Sequence, residues 1–134
     1  KKNIKQIIRY WKSEKFVLSQ LKYGWMPPHT SLFIKKTVIK KIKYNINYPI
    51  SGDYKFILDI FSNVRIKKRY FNRLLCIMRL GGDSTKLKFF FKKLQEDIKI
   101  AKSFFKNYYI CIFFKIIRKF KQFNILKNIS FNFN

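Results

Sequence analysis

Ile50-Ser51-Gly52-Asp53-Tyr54 runs directly into Lys55-Phe56-Ile57-Leu58-Asp59-Ile60-Phe61. Pro49 ends the loop before it, and Ser51 is a residue type that caps helices. Tyr54, Ile57, Leu58 and Phe61 then recur at i, i+3, i+4 and i+7. That spacing predicts a helix of about ten residues with a single apolar stripe. Asp53 falls in the first turn, off the stripe and near the positive end of the helix dipole. A carboxylate there either complements its own helix or is presented to a cleft.

Upstream, Gly24, Pro27 and Pro28 make residues 21–31 irregular and extended. Leu32, Phe33 and Ile34 read as a short strand entering the core, and residues 36–43 as a short helix with Val38, Ile39 and Ile42 on one face. Residues 4–10 fit a helical turn or a strand equally well. Downstream, residues 64–70 and 73–78 read as strands, and Gly81 and Gly82 break the chain after them. Ser84 is placed to cap a long helix on which Leu87, Phe90, Phe91, Leu94, Ile98, Ala101 and Phe105 keep helical spacing. Asn107 interrupts it. A last helix follows over residues 108–123, and residues 124–134 are expected to fray. Mixed helices and strands predict an α/β class, with too few strands for a complete doubly wound sheet.

A chain of 134 residues, 48% of them apolar and 19% aromatic, has material for one core. Its charge is lopsided: 31 Lys and Arg face six acids, a formal +25. Such a surface attracts polyanions and anionic membranes. The mixture of Lys, Ile, Asn, Phe and Tyr is also what AT-rich coding favours. The basic residues are spread along the whole chain and no recognised nucleic-acid-binding motif occurs, so no specific nucleic acid is expected as a partner. Cys76 and Cys111 are isolated and His29 is the lone histidine, which argues against a disulfide framework or a zinc site. Reduced thiols and a cytoplasmic location are expected. Residues 1–15 alternate charged and apolar residues, so no signal peptide is expected there, and no apolar run is long enough to span a bilayer.

Three stretches, in this order and spacing, carry a resemblance. They are Gly24-Trp25-Met26-Pro27-Pro28-His29-Thr30 followed by Leu32-Phe33-Ile34, then Ile50-Ser51-Gly52-Asp53-Tyr54 leading into Ile57-Leu58, then Ile77-Met78-Arg79-Leu80-Gly81-Gly82-Asp83-Ser84. Together they resemble the family 2 glycosyltransferases of bacterial polysaccharide synthesis, over roughly residues 4–105. The resemblance implies an α/β chain forming the carboxy-terminal, acceptor-side part of a GT-A nucleotide-diphospho-sugar transferase fold. It implies a nucleotide-sugar donor, a glycan or lipid-linked acceptor, and a divalent metal, Mg or Mn, held on the donor diphosphate by a DxD motif. No DxD occurs in this chain. The donor-binding part is therefore expected to precede Lys1, and the chain alone to be inactive. The implied division is residues 1–106 as the acceptor-side part and residues 107–134 as a basic amphipathic helix and tail. The family usually has Ala where Gly52 stands, and often a second acid in place of Lys55.

The resemblance also assigns roles. Asp53 is the expected base that deprotonates the acceptor hydroxyl during an inverting transfer. The family motif is what favours this over a purely local helix role. His29, stiffened by two prolines, is expected to meet the acceptor or a donor phosphate, or else to bond loop backbone. Trp25 either stacks on a sugar face or fills the core. Arg79 is a candidate for the donor diphosphate, or else a solvated cation at a strand end. Gly81, Gly82 and Ser84 precede a helix whose backbone N–H groups can face a phosphate, although a double glycine is also an ordinary turn. The terminal helix, with Lys115, Arg118, Lys119 and Lys121 among apolar residues, fits an anionic membrane surface or the core. An enzyme on the inner face of the cell membrane is the leading expectation. A basic nucleic-acid- or membrane-surface-binding module without catalysis is the alternative.

Overall fold

A computed structural model describes residues 9–63, 65–78 and 89–124. Every regular element among them is helical. Two 3-10 helices, Leu18–Tyr23 and His29–Ser31, come first. They are followed by α1 (Lys36–Ile39), α2 (Gly52–Ser62), α3 (Phe90–Phe104) and α4 (Tyr108–Asn124).

The α/β, GT-A-type expectation is therefore corrected: this is an all-helical small domain, with no strand among the described residues. The three expected strands fail for one reason, that a strand needs a neighbouring backbone to complete its ladder. Leu32 and Ile34 pack on the core while Phe33 points to solvent, so the period-two burial is there without a partner strand. Residues 71–78 are exposed throughout, with Phe71, Leu74, Leu75, Ile77 and Met78 all in solvent. In a chain this rich in both apolar and basic residues, short alternations arise readily and carry little weight.

α2 is the central element. The expected stripe of Tyr54, Ile57, Leu58 and Phe61 is buried, and so are Gly52, Phe56 and Ile60. A helix buried nearly all round belongs in the middle of a fold. Leu21, Trp25 and Ile100 complete the buried cluster, with Phe16, Met26, Leu32, Ile34, Val38 and Ile42 packed around it. α1 is shorter than expected, although turn bonds from the Lys40 N–H to the Lys36 carbonyl (3.0 Å) and from Ile42 to Val38 (3.0 Å) extend it slightly.

α3 and α4 form a helical hairpin. Asn107 does break the long apolar run, and its carbonyl accepts the Ile110 N–H at 3.2 Å as α4 begins. Ala101, Cys111 and Ile112 are buried between the two helices, flanked by Leu94, Ile98, Phe105 and Tyr108. The expected start of α3 near Leu87, with its Ser84 cap, lies outside the described residues. α4 also docks on the first 3-10 helix, at Gly24. This residue has φ 66° and closes that helix in the left-handed conformation. A Cβ on it would lie 2.5 Å from the Cys111 carbonyl oxygen and 2.5 Å from the Lys115 backbone nitrogen. Glycine is required here twice over, by its φ and by the approach of α4.

Candidate functional site

Two of the three motifs meet at one point. The prolines carry the chain into the 3-10 turn His29–Ser31, where the Leu32 N–H bonds the His29 carbonyl at 3.2 Å and the Ser31 hydroxyl donates to the Pro28 carbonyl at 3.1 Å. The turn sets His29 against the first turn of α2. His29 Nδ1 lies 3.2 Å from Asp53 Oδ2, with the two side chains 45% and 27% exposed. Asp53 Oδ1 accepts the Tyr54 N–H at 2.7 Å. A carboxylate has acceptor capacity for about four hydrogen bonds, so these two contacts leave room for a ligand hydroxyl.

The start of α2 is held from α3. Ser51 makes no side-chain cap, contrary to expectation. Instead Glu96 Oε2 accepts the backbone N–H of Ile50 at 3.0 Å and of Ser51 at 2.7 Å. A buried carboxylate at the positive end of a helix dipole is favourably placed. Asp53 is thus fixed at the start of a helix anchored by a residue far away in the chain. Glu96 is buried on the inner face of α3, where the apolar spacing of Leu94 and Ile98 gave no hint of a clamp.

Tyr44 is a second residue that sequence reasoning missed. Its exposed ring stacks on Phe56 with centroids 4.5 Å apart. It also lies against Gly52, where an added Cβ would sit 3.5 Å from its Cδ1. Desolvation, and then the charge of Asp53, raise its phenol pKa above the ordinary value. An exposed aromatic face beside the carboxylate is what a sugar ring stacks on.

Beneath the site lies a buried charge pair. Lys115 Nζ is 2.9 Å from Asp97 Oδ1 and 3.1 Å from the centroid of the Tyr54 ring. The ion pair is close but not aligned as a hydrogen bond, and the ammonium is shut off from solvent. Desolvation lowers the Lys115 pKa to about 8 against the pull of Asp97. Tyr54 OH is 3.4 Å from Cys111 Sγ, and burial followed by the neighbouring thiol raises the phenol pKa. Lys55 stands two residues after Asp53, but its ammonium is bound to Asp59 at 2.6 Å and lies 5.0 Å from the centroid of the Phe104 ring.

The other expected site residues fare differently. Trp25 is only 5% exposed, with Phe16 and Phe61 at centroid distances of 5.7 and 5.8 Å. Its indole fills the core and offers no face to a sugar. Arg79, Gly81, Gly82 and Ser84 lie outside the described residues. The described residues hold no group of three or more His, Cys, Asp or Glu able to bind a metal ion. The divalent metal implied by the resemblance finds no site on them. None of the described helices is long and apolar enough to cross a membrane.

Compared with known protein families, curated proteins and solved structures, the chain matches none. The resemblance stands on its own motifs.

Proposed function

We propose that this chain provides the acceptor side of a sugar transferase of cell-surface polysaccharide synthesis, with Asp53 as its base. One observation carries the reading. Two motifs that suggest the same chemistry, Pro27-Pro28-His29 and Ser51-Gly52-Asp53, put an imidazole and a carboxylate 3.2 Å apart on a partly open surface. The imidazole of His29, with Nδ1 3.2 Å from Oδ2, flanks the carboxylate and limits the positions it can take. Asp53 then takes the proton of an acceptor hydroxyl as its oxygen attacks the anomeric carbon of a nucleotide-activated sugar. The bond to the leaving phosphate breaks, its electron pair departs with the nucleoside diphosphate, and the configuration inverts. Tyr44 offers the acceptor ring a stacking surface.

The resemblance gives the donor diphosphate and its metal to another part of such an enzyme, so the 134-residue chain by itself is expected to transfer nothing. The setting that suits this reading is the cytoplasm, at the inner face of the cell membrane, with a glycan or lipid-linked acceptor. Membranes of cells making the protein together with a donor-binding part, supplied with nucleotide sugars, provide the test. Asp53→Asn should cut incorporation into the acceptor by about 10²-fold or more. Asp59→Asn, at a carboxylate occupied by Lys55, should leave it close to the parent level. Equal activity in both variants would remove Asp53 from the chemistry.

A further inference from the structure

On α4, Tyr109, Phe113, Ile116 and Phe120 recur at i, i+4, i+7 and i+11, and they are 61, 60, 41 and 67% exposed. They form one continuous apolar stripe. The opposite face carries Cys111 into the core, together with the ammonium of Lys115, and Ile112 is buried at the flank. The helix therefore has two apolar faces, and packing uses only one of them. Lys119 and Lys121 lie roughly 100° to either side of the outer stripe, from the geometry of an α-helix. No Asp or Glu follows Asp97 in the chain. Arg9 and Lys93 add to the positive field around Lys119.

We propose that α4 lies flat on an anionic lipid bilayer, with Tyr109, Phe113, Ile116 and Phe120 among the acyl chains and Lys119 and Lys121 at the headgroup phosphates. Aromatic and aliphatic side chains on one face with lysines at its borders is the arrangement of an interfacial helix. The helix is not one that crosses a bilayer. Charge decides against a second copy of the chain as the occupant. Each molecule carries +25, and pairing α4 with itself would bring both lysine borders together. The inference does not depend on Asp53 being a base.

The full chain should sediment with vesicles of phosphatidylcholine and phosphatidylglycerol, and far less with vesicles of phosphatidylcholine alone. Phe113→Ser/Phe120→Ser, at two solvent-facing positions, should weaken that binding by about tenfold or more. Lys119→Gln/Lys121→Gln should weaken it by about tenfold through charge alone, which provides a second reading if the first variant folds poorly. Asp53→Asn should bind as the parent does, so a failure of the catalytic reading is separable from a failure of this one. Vesicle binding unchanged in both double variants would overturn the proposal. So would a parent dimer in sedimentation velocity that Phe113→Ser/Phe120→Ser dissolves, or a loss of single-stranded RNA binding in that variant with vesicle binding intact.

Discussion

Gly24 and Gly52 sit in neighbouring motifs but meet different demands. Gly24→Ala would force a Cβ into the α4 backbone at a left-handed φ, and should cost about 3 kcal/mol or more in denaturant unfolding. Gly52 has ordinary contact distance to the Tyr44 ring and no positive φ, so Gly52→Ala should stabilise the fold by about 0.4–1 kcal/mol. Opposite signs for the two alanines would separate a packing glycine from a replaceable one. That Asp53 stands in the first turn of a helix and His29 in a stiffened turn was legible in the sequence, because a helix start and a proline pair restrict the local backbone. Trp25 was not, since an aromatic after a glycine looks the same whether it ends in the core or against a ligand. Tyr44 was hidden for the opposite reason: only the contact with Phe56 and the first turn of α2 gives it a place.

At the level of elements, periodicity served the helices well. α2 and α4 begin and end close to the expected positions, because apolar residues at helical spacing need only local hydrogen bonds. The strands could not be judged that way, because their backbone partners lie elsewhere in the chain. The same limit concealed the Glu96 clamp on α2. Glu96→Ala would leave the Ile50 and Ser51 N–H groups without their acceptor, and should cost about 2–4 kcal/mol, measured by chemical denaturation. Glu96→Gln keeps an acceptor oxygen and should cost less. The α4 pair Lys115–Asp97 sets a pH dependence. The folded chain releases the Lys115 proton near pH 8, whereas the unfolded chain keeps it to about 10.5. The unfolded state binds more protons in that window, so this group's contribution to stability should rise with pH from about 8 toward 10.5, by up to about 3 kcal/mol. Denaturation of the parent against Lys115→Met across that range isolates it. A difference that stays flat with pH would mean that the ammonium is not buried.

Across the whole molecule, charge and its exceptions are the organising feature. In a chain of +25, four of the six acids gather on α2 and α3: Asp53, Asp59, Glu96 and Asp97. Asp59 neutralises Lys55, Asp97 neutralises Lys115, and Glu96 anchors a helix start. Asp53 is the member of this group whose contacts are a histidine and its own helix, on a surface open to a ligand. Net charge was readable from composition, but this division of labour among the acids was not, because it rests on contacts between distant segments. The deciding measurement is incorporation of labelled sugar by membranes containing a donor-binding part together with the parent protein or its Asp53→Asn variant, read beside vesicle binding of the parent and the variant. The account predicts that transfer collapses while vesicle binding is retained. Undiminished transfer by the variant would contradict it.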